Sequence, residues 1–229
     1  MAQAPKLLAE LDGFRIDRKN ETTRADIILD RPSFNLISKI QREQLRAAFE
    51  ALDNDPSVRV IVVRAVGEHF SGGSDIEGVI DTRTAHVSKP AWNIGAPARC
   101  SKPVIAANRG YCFGAGFELS LACDFRIATE TTLYALHAPS ARQIPSASGS
   151  ARLQKMVGIG RAKAIVMRRR YICGAEAYEL GIATEFVVDS ELESFTDELV
   201  RELVALSPLQ LRAAKKLLND IDDIPLSFD

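Results

Sequence analysis

The sequence of 229 residues has few of the side chains that commonly bind metal ions or form disulfides. Its four cysteines show no CxxC spacing, and its three histidines are scattered along the chain. Neither a zinc site nor a disulfide framework is therefore predicted. We expect reduced thiols and no resident metal.

Strong net charge and long apolar runs are also lacking. The formal net charge is −1 and the isoelectric point is about 6.3, so nucleic acid is not expected as the main partner. No apolar run reaches the length of a membrane span. The N-terminal segment has no cationic stretch followed by an apolar run, and no signal peptide is predicted. We expect a cytoplasmic protein without membrane contact.

Several catalytic and nucleotide-binding motifs are absent. No G-x-S-x-G elbow occurs, which makes a serine hydrolase triad a poor prediction. The glycine-rich stretch from Arg109 to Asp124, RGYCFGAGFELSLACD, lacks the third glycine of a dinucleotide fingerprint. No Lys-Ser/Thr pair follows it to form a P-loop. This stretch therefore needs another explanation.

The stretch from Arg109 to Asp124 places three glycines within seven residues, followed by a helical pattern. A glycine turn that enters a helix leaves backbone N–H groups unpaired, and these can hold an anionic oxygen. Glu118, one turn into the helix, would lie beside that oxygen. Alternatively, the glycines only allow close helix packing and Glu118 only interacts with the helix dipole. This stretch alone does not choose between the two interpretations.

A second glycine turn lies in the segment EHFSGGSD at 68–75, also just after a predicted strand. N–H donors from two separate turns can converge on one oxygen, as an oxyanion hole requires. A thioester suits such a site, because its enolate or tetrahedral form carries negative charge on that oxygen. A nearby glutamate can then move a proton or position water. His69 and Ser71 are two residues apart here, and we interpret that pair as incidental.

The pattern along the chain predicts an α/β fold. Strands alternate with helices through the first two-thirds of the chain, and the last third is mostly helical. The predicted strands cover 14–18, 25–29, 58–66, 103–107, 124–128, 133–136 and 184–188. The predicted helices include one that begins at a Ser38–Gln41 capping box, others at 147–157, 161–170, 175–180 and 192–206, and a last one after Ser207.

Together these segments resemble the crotonase, or enoyl-CoA hydratase/isomerase, superfamily from Phe14 to about Asp220. The resemblance is carried by LDRPSFNLI at 29–37, HFSGGSDI at 69–76, KPVIAANRGYCFGAGFELSLACDFRIA at 102–128 and IPSASGSARLQKMVGIGRAKAI at 144–165. It implies a crotonase-like spiral of ββα turns over 1–188 and a C-terminal helical region over 189–229 that assembles trimers, often paired into hexamers. The apolar stripe from Leu192 to Leu206 also favours self-association, and we expect a homotrimer or hexamer.

The resemblance implies roles for particular residues. The oxyanion donors would be the N–H groups of Gly72 and Ala115, and Glu118 matches the first of two glutamates that hydratases of the family use. The loop around Leu36 and Ile37 would contact the CoA arm. The turn along the acyl-CoA thioester would consist of Gly72, Gly73, Ser74 and Asp75. No cofactor is expected beyond the coenzyme A of the substrate.

The second family glutamate is missing. Matching through Ile144 and Pro145 places His137 at the proline before this glutamate, and Ala138 at the glutamate itself. With Glu118 as a single acid/base, double-bond isomerisation, thioester hydrolysis, decarboxylation or C–C cleavage are as plausible as hydration. A second hypothesis gives the missing role to His137. A third is a catalytically silent homologue that binds acyl-CoA or acts as an assembly partner.

Overall fold

Two β-sheets and the helices around them form the part of the chain that the computed structural model describes, residues 8–75, 92–137 and 147–222. The strands are β1 (Phe14–Lys19), β2 (Arg24–Leu29), β3 (Val60–Ala65), β4 (Val104–Ala107), β5 (Tyr111–Phe113), β6 (Phe125–Thr129), β7 (Leu133–Ala135), β8 (Ile172–Cys173) and β9 (Glu185–Val187). The helices are α1 (Lys39–Asp53), α2 (Ala96–Arg99), α3 (Ala115–Ala122), α4 (Ala147–Val157), α5 (Ile159–Met167), α6 (Gly174–Glu179), α7 (Leu192–Ala205) and α8 (Pro208–Asp222).

The large sheet has the strand order β1-β2-β3-β4-β6-β9. Strands β1 and β2 are antiparallel, and every later pair is parallel. All of β2 and the first four residues of β3 are buried, as expected for parallel strands that are covered on both faces. The valine and isoleucine run at 60–63 therefore lies inside the fold.

The small sheet has the order β5-β7-β8, and the chain alternates between the two sheets. Strand β4 in the large sheet is followed by β5 in the small sheet and then by α3. Strands β6 and β7 repeat the same two steps. The result is a spiral of strand–strand–helix turns, which confirms the predicted α/β class.

Helix α1 begins at the predicted capping box. The Ser38 hydroxyl accepts a hydrogen bond from the Gln41 N–H at 3.0 Å, and the Gln41 side-chain oxygen accepts one from the Ser38 N–H at 3.3 Å. Leu45, Phe49 and Leu52 recur at helical spacing and are buried in the main core. The capping box and the apolar stripe therefore set the start of the helix and its packed face.

All seven predicted strands are present, with ends that shift by one or two residues. Strands β5 and β8, three and two residues long, are not predicted by the sequence pattern. Their pairing depends on neighbours far along the chain, which a local pattern does not record. Helix α5 ends at Met167 rather than at Arg170, since Arg169 has a left-handed backbone with φ 52°.

Helix α7 uses its apolar stripe within its own chain. Leu199, Val200 and Leu203 form a second core with residues of β3, β4 and β6, including Val60 and Ile105. The sheet covers this stripe as far as Leu203, so self-association is not needed to bury it, contrary to the expectation from the sequence. The exposed large apolar side chains of the C-terminal region include Leu209, Leu217 and Leu218 on α8.

The four cysteines are free, and Cys173 is the exposed one. Within the described ranges, no group of histidine, cysteine or acidic residues could hold a metal ion. A helix with the length and apolar character needed to cross a membrane is not found in those ranges either.

Candidate active site

The two glycine turns meet in the structure. Ser71 pairs in parallel with Cys112, with hydrogen bonds from the Ser71 N–H to the Tyr111 carbonyl (2.8 Å) and from the Phe113 N–H to the Ser71 carbonyl (2.9 Å). A Cβ on Gly116 would lie 2.5 Å from the Ser71 Cβ, so only glycine allows this approach. The two turns therefore lie next to each other in the fold.

The Ala115 N–H lies at the first position of α3. Gly114, just before it, has φ 47° and donates its own N–H to the Ala135 carbonyl at 2.8 Å. The first N–H groups of a helix have no acceptor inside the helix. Among the described residues, no acceptor is found for the Ala115 N–H. This group can therefore donate to a ligand.

The Gly72 N–H is already engaged, because it donates to the Phe34 carbonyl at 2.6 Å. This contact opposes the oxyanion role expected for Gly72. Further along this turn, two backbone hydrogen bonds join it to Ile37. The Ile37 N–H donates to the Gly73 carbonyl (2.8 Å), and the Asp75 N–H donates to the Ile37 carbonyl (3.1 Å).

The Ser74 N–H lies between these two contacts. Backbone groups of an extended segment alternate in direction, so the Ser74 N–H points away from the strand-like segment at Ile37. Within the described part of the chain, no hydrogen-bond acceptor is found for it. Ser74, rather than Gly72, therefore offers the donor on this turn.

The residues expected along the CoA arm differ in exposure. The Ile37 side chain is fully buried in the main core, which leaves only its backbone for a ligand. Leu36 is half-buried beside Gly72, where its Cδ2 would lie 3.2 Å from a Cβ at that glycine. Asp75 faces Arg31 with a nitrogen–oxygen distance of 3.5 Å.

Glu118 lies in the first turn of α3, a helix whose eight residues are all buried. Its side chain is 8% exposed, and a Cβ on Gly149 of α4 would come within 2.6 Å of its Cγ. Burying a carboxylate costs free energy unless other groups interact with its charge. Glu118 thus lies one helical turn beyond the Ala115 N–H, at the contact between α3 and α4.

Arg42 also belongs to this region, although it is not among the site residues predicted from the sequence. Its Nη2 donates to the Ser74 hydroxyl at 2.5 Å, and the residue is 9% exposed. Burial lowers the pKa of Arg42, while the negative charge of Glu118 raises it. A signal was present in the sequence: Arg42 precedes Leu45 by three residues and Phe49 by seven, which places it on the apolar face of α1.

His137 is half-buried at the end of the described segment 92–137. Its ring packs edge-on against Tyr171 with centroids 5.0 Å apart. Burial, and then the positive charge of Arg169, lower its pKa, so it is neutral near pH 7. Ala138 lies outside the described residues, and the placement of the missing glutamate stays a prediction.

His69 is part of an aromatic row. Its ring stacks against both Phe34 and Tyr111, with centroid distances of 5.4 and 4.1 Å. Its Nδ1 accepts the Tyr111 N–H at 3.3 Å. These contacts give His69 a packing role and agree with the interpretation of the His69–Ser71 pair as incidental.

Comparison with known proteins identifies relatives along most of the chain. The family model described as Enoyl-CoA hydratase/isomerase matches residues 19–223. Carnitinyl-CoA dehydratase of Salmonella enteritidis PT4 is 31% identical over 205 residues, which cover 88% of this chain and 78% of the relative. The same enzyme of Salmonella paratyphi A is 32% identical over the same length.

Solved structures agree with the sequence matches. An enoyl-CoA hydratase subunit of Geobacillus kaustophilus HTA426 superposes with a TM-score of 0.87 at 28% identity, covering 95% of this chain and 85% of the other. A protein of Thermobifida fusca YX, solved in complex with CoA, gives 0.83 at 27% identity and covers 99% and 90%. The fold, the two converging turns and these matches together show that the chain belongs to the enoyl-CoA hydratase/isomerase family of the crotonase superfamily.

Proposed function

We propose that this protein processes acyl-CoA thioesters by stabilising a thioester enolate or oxyanion, with Glu118 as the acid/base. One observation carries the proposal: two converging turns offer the N–H groups of Ala115 and Ser74, and a buried carboxylate lies one turn beyond. Donors fixed in this way can bind an oxygen on which negative charge develops. The CoA complex of the Thermobifida protein supports CoA as part of the substrate.

The reaction is of the enoyl-CoA hydratase or dehydratase type at the level of the family. Hydration needs water activated at the β-carbon and a proton delivered at the α-carbon, and Ala138 can supply neither. We therefore expect a weak hydratase, with isomerisation, hydrolysis, decarboxylation or C–C cleavage as alternative outcomes of the same enolate-stabilising site.

Carnitinyl-CoA, named as the substrate of the Salmonella relatives, is a less suitable substrate for this chain. The carnitinyl group carries a fixed positive charge. Arg42 places a buried guanidinium at Ser74 and within the electrostatic reach of Glu118. Two positive charges in one buried site repel each other, and this disfavours a cationic acyl group.

The proposal is tested with a panel of acyl-CoAs, assayed for binding by calorimetry and for turnover by mass spectrometry. The panel holds crotonyl-CoA for hydration, a 3-enoyl-CoA for isomerisation, saturated thioesters for hydrolysis and a malonyl-type thioester for decarboxylation. We expect turnover of at least one, and a loss of about 10²–10⁴-fold in Glu118→Gln with binding retained. Binding without turnover would favour a catalytically silent homologue, and no binding at all would contradict the proposal.

The second candidate gives His137 the acid/base role of the missing glutamate. Its lowered pKa leaves the imidazole neutral and able to accept a proton near pH 7. His137→Ala, measured with the same panel, decides between the two. A rate within about twofold of the wild type leaves Glu118 as the acid/base, whereas a loss within the range of general acid–base assistance, about 10²-fold or more, supports His137.

A further inference from the structure

Arg42 is a buried cation with very few partners. The residue is 9% exposed, and one side-chain hydrogen bond is found for it within the described ranges, from Nη2 to the Ser74 hydroxyl. Its Nε is buried, with no hydrogen-bond partner among the described residues. Burying a charged group is costly unless other groups hold it.

Two other buried arginines show how this chain usually solves the same problem. Arg24 is 3% exposed and donates to the carboxylates of Asp26 and Asp197. Arg126 is 5% exposed and donates to several backbone carbonyls. The Arg42 side chain, by contrast, donates to a single neutral group, the Ser74 hydroxyl. No ion pair with a carboxylate is found for it among the described residues, although the charge of Glu118 acts on it, so its remaining donors are suited to an anion of the substrate.

The position of Arg42 indicates which part of the substrate would bring this anion. Its hydrogen-bond partner, Ser74, also carries one of the two proposed oxyanion donors, and the charge of Glu118 acts on the same guanidinium. The phosphates of CoA lie far along the CoA arm from the thioester carbonyl, so they are not the anion that would meet a guanidinium beside a proposed oxyanion donor. The acyl group is the part of a thioester that lies beside Glu118.

We propose that Arg42 binds a carboxylate at the distal end of the acyl group, so that the preferred substrates are CoA half-thioesters of dicarboxylic acids. This inference rests on the proposed function, because it assumes an acyl-CoA in the site. Arginine presents several N–H donors in a plane and can hold a carboxylate with two hydrogen bonds. Nη1 and the second N–H of Nη2 form such an edge, since one N–H of Nη2 is used by Ser74 and Nε is closed off.

The test compares binding of two saturated thioesters with equal numbers of acyl carbons. Glutaryl-CoA ends in a carboxylate and pentanoyl-CoA ends in a methyl group. Calorimetry on the wild-type protein gives both dissociation constants without requiring hydratase turnover. The variants are Arg42→Met and Arg42→Lys. Arg46→Met is the matched control, since Arg46 lies one turn further along α1 and pairs with Glu50 at the surface.

We expect the wild type to bind glutaryl-CoA at least about tenfold more tightly than pentanoyl-CoA, as hydrogen bonds to a charged group allow. Arg42→Met should weaken glutaryl-CoA binding more than pentanoyl-CoA binding and so remove this preference, Arg42→Lys should retain part of it, and Arg46→Met should retain all of it. Equal affinities in the wild type, or a preference that survives in Arg42→Met, would overturn the inference. If pentanoyl-CoA binds but the carboxylate adds nothing, the proposed function survives. If neither thioester binds, both fail. The wild-type comparison needs no variant to fold.

Discussion

At the scale of single residues, the position of Glu118 depends on a glycine in a neighbouring helix. A Cβ on Gly149 would lie 2.6 Å from Glu118 Cγ and 3.1 Å from its Oε1. Real Cβ atoms do not make contacts below 3.0 Å, so one of the two groups has to move. The glutamate side chain can rotate about its own bonds, whereas residue 149 is fixed in the backbone of α4, so we expect the glutamate to move.

Gly149→Ala should therefore lower kcat. A displacement of about 1 Å at a reacting group can cost about 10²-fold in rate, and we expect a loss of about tenfold or more. Alanine is favoured over glycine inside a helix, and this preference offsets part of the destabilisation that the close contact causes. The measurement is kcat on the best substrate of the panel, together with thermal unfolding.

Gly160→Ala is the control for this prediction, because nothing lies within 4 Å of a Cβ at that position in α5. Its rate should equal that of the wild type. Full activity in Gly149→Ala would show that Glu118 does not need its present position.

Restoring the missing carboxylate should create a better hydratase. We expect Ala138→Glu to increase the rate of crotonyl-CoA hydration, because one acid–base partner typically contributes about 10²–10⁴-fold. Ala138→Gln, which has the same shape without the charge, is the matched control and should leave the rate low. A wild type that already hydrates crotonyl-CoA as fast as Ala138→Glu would show that the second glutamate is not matched at 138.

The sequence predicts some of the site residues and misses others for physical reasons. The glycine-rich stretch predicts the carboxylate at Glu118, and the family resemblance implies the donor at Ala115. Whether Gly72 or Ser74 points its N–H inward depends on pairing with a distant segment, which spacing does not record. Arg42 was predictable in principle, since it is a charged residue on the apolar face of an amphipathic helix.

At the scale of elements, the start of α1 links the N-terminal segment to the turn at Ser74. The Ser38 hydroxyl accepts the Gln41 N–H and also donates to Asp12 at 2.5 Å. Helix α1 carries Arg42 just beyond this cap. Loss of the cap should therefore affect both stability and the placement of the guanidinium.

Ser38→Ala should destabilise the protein by about 1 kcal/mol, the usual cost of removing an N-cap side chain. Urea unfolding followed by circular dichroism measures this change. Ser38→Thr keeps a hydroxyl at the cap and should lose less. Equal stability of the alanine variant and the wild type would show that the capping box does not contribute to the folded state.

The long elements are predictable from sequence because their own residues carry the signal. The capping box, the periodic leucines of α1 and the β-branched run of β3 are all local. The covering of the α7 stripe is different, because it depends on where the large sheet lies.

At the scale of the whole molecule, the C-terminal helix α8 carries exposed apolar side chains. Leu209, Leu217 and Leu218 are 76%, 61% and 67% exposed. The family resemblance predicts a homotrimer or hexamer, and α8 replaces α7 as the surface that would mediate it. Leu217 and Leu218 are adjacent in sequence, and exposed apolar side chains that lie close together are typical of interaction sites.

Replacing Leu217 and Leu218 together by aspartate should shift the protein from an oligomer to a monomer in light scattering at micromolar concentration. Arg161→Asp, on the exposed side of α5, is the control and should leave the assembly intact. A wild-type protein that is monomeric under these conditions would contradict the expectation of a trimer or hexamer.

The central claim is that two backbone donors and Glu118 stabilise a thioester enolate, and exchange of α-protons tests it most directly. Pentanoyl-CoA, incubated with the protein in D₂O, is followed by NMR for loss of the signal from the protons next to the thioester carbonyl. This readout requires only enolate formation and does not depend on the later reaction. We predict exchange with the wild type and a rate about 10²–10⁴-fold lower with Glu118→Gln. Thioester that binds without exchanging, or equal exchange in Glu118→Gln, would contradict the account.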